Sequence, residues 1–250
     1  LELLSHQNFA DMRLGLDPSF RFEVSRAVYK GLLKTLSAFY DTPYIVQPLP
    51  VNSFSSVFSS ERSVTLTWKP TFDEKEPTAV PTSYFVYTRI DGGAFDRGSE
   101  IKGTQVQMSI EPGHIYSYKI VACNEGGLSF PSEILSVGRP VAGGEEIAIV
   151  NNFYRISAPD WIDEPGYAGF DGKSDNGVPY LTDISYVGDN YEFHRDSEYI
   201  DDDFPGFGAS TLDRAGEVIA GNSFDYPYIH GKSLMSLGYA FSSMSMSAFC

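Results

Sequence analysis

Between residues 63 and 137, apolar and polar residues alternate in short runs closed by turn residues, a pattern that leaves little room for anything but an antiparallel β-sandwich. Ser63-Val64-Thr65-Leu66-Thr67-Trp68 puts Val64, Leu66 and Trp68 on one face. Ser83 to Ile90 follows, closed by Asp91-Gly92-Gly93. Val106 to Ile110 is a third run and Ile115 to Cys123 a fourth, ending in Asn124-Glu125-Gly126-Gly127. Pro131-Ser132-Glu133 leads into a last run, Ile134 to Val137. Ahead of all of them, Pro43, Pro48 and Pro50 mark a stiff extended linker from Tyr44 to Asn52.

Two details within this segment narrow the sandwich. Trp68 lies on the second strand, and Glu111 to Gly127 carries Tyr116 near the start of a long apolar run. Both resemble the fibronectin type III fold, which places a core tryptophan and a tyrosine corner there. The resemblance implies that Tyr116 buries its ring and returns its hydroxyl to backbone. Sugar stacking is the functional alternative for Trp68 and Tyr116, and core packing is the expectation. Cys123 reads as a small buried hydrophobe.

The chain of 250 residues has room for two or three domains, and an apolar fraction of 42% suits a globular chain. No stretch approaches the roughly 20 apolar residues that cross a bilayer. Net charge is −15, unevenly spread: residues 1–140 hold 15 acids against 13 bases, and residues 141–250 hold 18 against 5. That excess argues against nucleic acid or an anionic membrane as partner. Two cysteines, Cys123 and Cys250, do not make a disulfide framework.

The opening residues read as the end of a domain. Leu1, Leu3 and Ser5 alternate with Glu2 as on a strand, Asp11 to Pro18 reads as a loop, and Asp17 caps a helix over Pro18 to Phe39. Leu1-Glu2-Leu3-Leu4-Ser5-His6-Gln7-Asn8, with Asp11 in the loop, resembles the last strand and loop of zinc-dependent N-acetylmuramoyl-L-alanine amidases of the amidase-3 type. Leu4, Ser5 and Gln7 depart from that pattern. The resemblance implies Glu2 as the base acting on a zinc-bound water, with a His, a Glu and another His upstream as ligands and none in this chain. The family pattern gives His6 no ligand role. The order of segments is similar to Bacteroidetes secreted proteins labelled "xanthan lyase".

Beyond Gly138-Arg139-Pro140, Glu146 to Val150 is a continuous apolar run, as in a buried parallel strand. It breaks into a polar-aromatic loop from Asn151 to Pro159. Glu217 to Gly221 reads as a second strand, Ile229 to Leu237 as a helix, and Tyr239 to Phe241 as another apolar run. This resembles part of an α/β domain, flavodoxin-like or class I glutamine amidotransferase-like. Cys250 stands outside any strand–turn–helix nucleophile setting. Asn151 and Asn152 after the first strand, with Asp225 and His230 after the second, are the candidate binding residues at the sheet's carboxyl edge. The acids Asp196, Glu198, Asp201, Asp202 and Asp203 lie among Tyr199, Phe204 and Phe207, where calcium, sugar or a solvated paired loop are all open. His194 and His230 lack further ligands at a metal spacing.

Three units are therefore expected: 1–43 as the strand and helix of an amidase domain, 44–140 as linker and sandwich, and 141–250 as part of an α/β domain. The functional expectation is a piece of a periplasmic, secreted or cell-surface peptidoglycan hydrolase that cleaves the N-acetylmuramoyl-L-alanine amide. It is expected to be inactive without the upstream zinc ligands. The alternative is a non-catalytic glycan- or surface-binding protein with a degenerate amidase remnant.

Overall fold

The computed structural model describes residues 3–152, 157–170, 175, 177, 194–199, 206–207 and 225–250. The chain gathers into two compact units, Leu1–Gly31 with Arg155–Ser223 and Leu32–Tyr154 with Phe224–Cys250. In chain order the first elements are α1 (Phe9–Gly15), α2 (Pro18–Tyr40), β1 (Asn52–Ser60), β2 (Ser63–Lys69) and β3 (Ser83–Ile90). Then come β4 (Ser99–Ile101), β5 (Gln105–Ser109), β6 (Ile115–Asn124), β7 (Gly127–Leu128), β8 (Leu135–Gly138) and β9 (Glu146–Asn151). The last are β10 (Trp161–Glu164), β11 (Tyr167–Phe170), α3 (Tyr226–Ser236), β12 (Ala240–Ser245) and α4 (Met246–Phe249).

In the larger unit the strands pair in the order β4-β3-β6-β8-β12-β1-β2-β5. Phe54 and Leu66 from one half of that path share a core with Val86, Tyr118, Ile120 and Leu135 from the other. The path therefore doubles over into two layers, β4-β3-β6-β8 against β1-β2-β5. Val64, Leu66 and Trp68 all point inward from β2, as their alternation requires. Trp68 is buried and meets the Tyr84 ring edge-on at 5.4 Å. The Tyr116 hydroxyl accepts a hydrogen bond from the Glu111 N–H at 3.0 Å, so the corner closes on backbone five residues upstream. The middle of the chain is a fibronectin type III-like sandwich. Tyr116→Phe should cost about 1 kcal/mol in urea unfolding, because it strips that N–H of its partner without opening a cavity.

The first strand of the sandwich, β1, is not signalled by the sequence. Of its inward positions, Phe54 is apolar but Ser56 is a serine whose hydroxyl donates to the Ser243 carbonyl at 2.9 Å. The proline-marked linker is extended as expected, yet it is seated on the sandwich rather than free. Val46 and Pro48 are fully buried. The Val46 N–H donates to Thr78 Oγ1 at 3.1 Å, and the Asn124 side-chain amide donates to the Val46 carbonyl at 2.9 Å.

The sheet does not stop at Pro140. β9 pairs in parallel with β12 over six residues, from Ala240 opposite Glu146 to Ser245 opposite Asn151. The other edge of β12 is antiparallel to β8 at Phe241–Gly138 and to β1 at Ser243–Ser56. A separately packed third unit beginning near residue 141 is thereby corrected: residues 141–152 and 225–250 belong with the sandwich. The expected strand at Glu146 and the expected helix near Ile229 both form, but the pair they build joins an antiparallel sheet. The expected strand at Glu217 to Gly221 lies outside the described residues.

Phe241 explains how this segment locks on. Its ring is fully buried, with α3 packed over β8 and β12. A Cβ on Gly231 of α3 would stand 2.1 Å from Phe241 Cζ, and one on Gly138 of β8 would stand 2.7 Å from Phe241 Cε1. Two missing side chains make the slot for one ring.

In the smaller unit, Asn8 caps α1 through its side-chain oxygen, accepting from the Ala10 and Asp11 N–H groups at 2.9 and 3.3 Å. Residues 11–15 of α1 are thus helix where a loop was expected, and Leu3 to Ser5 form no strand. Leu1 and Glu2 lie outside the described residues. Asp17 does cap α2, accepting from the Ser19 N–H at 2.8 Å. α2 was expected to bury one apolar stripe, but Leu32, Leu36 and Phe39, in its last turns and within the larger unit, are exposed. β10 and β11 form a hairpin around Pro165-Gly166, and Gly166 takes the left-handed φ of 81° that the third residue of a type II turn needs.

Candidate functional site

The four residues expected to converge at a carboxyl sheet edge are not brought together. Asn151 ends β9 and is buried, and the adjacent Asn152 is exposed. Asp225 lies against β3, so β12, β8 and β6 stand between it and β9 in the sheet path. His230 is on α3, exposed, with its ring stacked at 6.4 Å from that of Tyr226. For Asp225 the reason is electrostatic. Asp225 is held by Arg89 of β3 in a two-pronged ion pair, Nη2 to Oδ1 at 2.8 Å and Nη1 to Oδ2 at 2.8 Å. Tyr228 and Phe95 place their rings 4.8 and 5.1 Å from the same guanidinium.

From that pair a chain of buried hydroxyls crosses the unit. Arg89 Nη2 also donates to Ser117 Oγ at 2.9 Å, and Ser117 Oγ lies 2.8 Å from Ser136 Oγ. The Ser136 N–H donates to Ser243 Oγ, which donates back to the Ser136 carbonyl, at 2.8 and 2.7 Å. This network is structural. It fastens β12 into the corner between the two layers.

At the carboxyl ends of β9 and β12, Ser245 hydrogen-bonds the half-buried Glu133 carboxyl, and burial pushes that carboxyl above its ordinary range. A raised folded-state value means that the folded chain binds this proton more tightly than the unfolded chain. Stability then falls as pH rises from the usual carboxylate range through the raised value. Glu133→Gln should flatten that slope and raise the melting temperature at neutral pH, read by thermal melts between pH 4 and 8.

Glu2 and the Asp201–Asp203 stretch of the acidic cluster lie outside the described residues. His6 sits in an exposed turn, and Asp196, Glu198 and Tyr199 are exposed. Among the described residues no group of three or more His, Cys, Asp or Glu side chains is placed to hold a metal, so no zinc step is derived from them. Among them, too, no helix is long and apolar enough to cross a membrane.

The smaller unit holds a side-chain arrangement that the sequence reading passed over. Trp161 opens β10 and is 44% exposed. The exposed Arg13 of α1 lays its guanidinium 3.7 Å from the indole centroid. Phe9 packs at 6.4 Å from Trp161 and 5.6 Å from the buried Phe170, holding α1 against the hairpin. Two residues along β10, Asp163 pairs with Arg195. The signal was Pro165-Gly166 between two short aromatic runs, which marks a hairpin.

No protein-family model matches the chain, and no curated protein matches it significantly. Solved structures with fibronectin type III domains do. The twitchin kinase region from C. elegans matches at 24% identity over 38% of this chain and 17% of that one, with a TM-score of 0.34. The d3–d4 domains of the rat CD45 extracellular region match at 16% identity over 37% and 49%, with a TM-score of 0.32. A human fourth fibronectin type III domain matches at 23% identity over 40% and 85%, with a TM-score of 0.34. This chain spans less than half of the twitchin and CD45 structures. The fold assignment rests on the strand order and the Tyr116 corner, not on these scores.

Proposed function

We propose that this chain is a non-catalytic glycan- or cell-surface-binding part of a secreted multidomain protein, with the sandwich as its scaffold. What supports this reading is where the segment 155–223 falls in the chain and what it is made of. The chain leaves the larger unit after β9 and re-enters through α3 into β12, the parallel neighbour of β9. The strands that flank the segment in the chain, β9 and β12, are thus neighbours in one sheet. That segment holds 15 acids against 4 bases, which suits a hydroxyl-rich ligand and opposes nucleic acid. The test is co-sedimentation of the purified chain with peptidoglycan sacculi and with insoluble polysaccharides. Retention by at least one of them is expected. A chain that stays in the supernatant with all of them would remove the reading.

One observation favours the amidase reading as a second possibility. Asp17 and Pro18 start a long helix as that family's final helix would start. On this reading Glu2 serves a zinc centre whose ligands come from upstream residues, and the parent releases stem peptides from sacculi. The intact parent protein with zinc should then release them, and Glu2→Gln should abolish release. Unchanged release in that variant sinks it.

A further inference from the structure

The geometry points to Arg13 and Trp161 as a site for a sugar bearing a free carboxylate. This rests on the glycan-binding reading and gives it a place. Among the described residues no carboxylate pairs with Arg13, although the chain has 33 acids and 18 bases. Its guanidinium carbon instead lies over the ring of the exposed Trp161, 3.7 Å from the centroid, and 5.9 Å from the ring centre of Phe9. A guanidinium held on aromatic faces and without a carboxylate partner keeps its N–H donors for a ligand, and a carboxylate can take two of them at once. The part of the indole that remains exposed offers an apolar platform for the C–H face of a pyranose. The Asp163–Arg195 pair, on the Trp161 face of β10, supplies both an acceptor and a donor for ring hydroxyls.

An acidic peptide would also bring carboxylates to Arg13. It would bring them up against Asp160, Asp163 and Glu164, which flank Trp161 on the same strand and its approach. One carboxylate among neutral hydroxyls fits that surround, and a run of carboxylates does not. Two sources carry the required chemistry. One is a uronic acid. The other is N-acetylmuramic acid whose lactyl carboxylate is free, which in a cell wall requires prior hydrolysis of its amide to the stem peptide.

Tryptophan fluorescence of the whole chain reads this site, because Trp68 is buried in the sandwich and Trp161 is open. Titrations would compare glucuronic acid with glucose, and N-acetylmuramic acid with N-acetylglucosamine. The acid of at least one pair is expected to bind about tenfold tighter than its neutral partner, and the responding pair identifies the source. Arg13→Gln should erase that preference, and Trp161→Phe should silence the fluorescence change. Both variants alter exposed side chains, and circular dichroism checks their fold. Equal response to acid and neutral sugars overturns the site, as does a preference that survives Arg13→Gln. A poly-glutamate peptide that binds where the sugar acids do not also overturns it. If both variants still sediment with sacculi like the parent chain, the site falls while the glycan-binding reading stands.

Discussion

Replacing Gly231 by alanine should destabilise the larger unit by about 3 kcal/mol or more, a large cost for one methyl group on a helix. The new Cβ would stand 2.1 Å from the Phe241 ring, which is fully buried and also closely approached by Gly138. In ordinary helix positions this change is favourable by up to about 1 kcal/mol, so the expected sign is reversed. Phe241→Ala alone should cost about 3–5 kcal/mol through lost burial and the cavity it leaves. The combination distinguishes the slot from general fragility. With Phe241 already truncated, the added methyl enters empty space, and Gly231→Ala should cost little or help. Equilibrium urea unfolding of the four chains measures the coupling directly. Additive costs would mean that the ring and the glycine do not meet.

The second large effect lies in the ion pair. Arg89→Leu or Asp225→Asn should each cost about 3 kcal/mol, because the remaining partner is left mostly buried without its counter-charge. The two side chains are only 12% and 14% exposed, so solvent can replace little of what is lost. Leu at both positions should recover most of the loss, since neither charge is then stranded. Salt should matter little, in contrast to the exposed Arg62–Glu111 pair, whose side chains are 71% and 64% exposed. A single variant that melts with the parent chain would show that the pair contributes nothing to stability.

The strands of the sandwich were legible where large apolar residues alternate, as at Val64, Leu66 and Trp68. Tyr116 was legible because a corner tyrosine is a local motif. β1 was not, since a serine facing inward looks like a serine facing water until Ser243 supplies its acceptor. The same holds for Ser117 and Ser136, which are fully buried on the outer faces of β6 and β8. α1 escaped because a seven-residue helix has too short a stripe, and only the Asn8 cap marks it. The candidate residues at Asn151, Asn152, Asp225 and His230 were gathered by analogy with parallel sheets. What relocates Asp225 is an arginine 136 positions away, a separation at which no spacing rule operates. Arg13 and Trp161 are likewise remote in sequence, and neither is unusual alone.

The parallel pairing of β9 with β12 has a mechanical consequence. The two strands run the same way, so a force along either one loads their whole ladder and not one end of it. The six paired positions from Glu146 to Asn151 therefore bear the pull together in shear, where a strand peeled sideways would surrender them one at a time. A sheet wired in this way resists a pull along its strands without opening its own core.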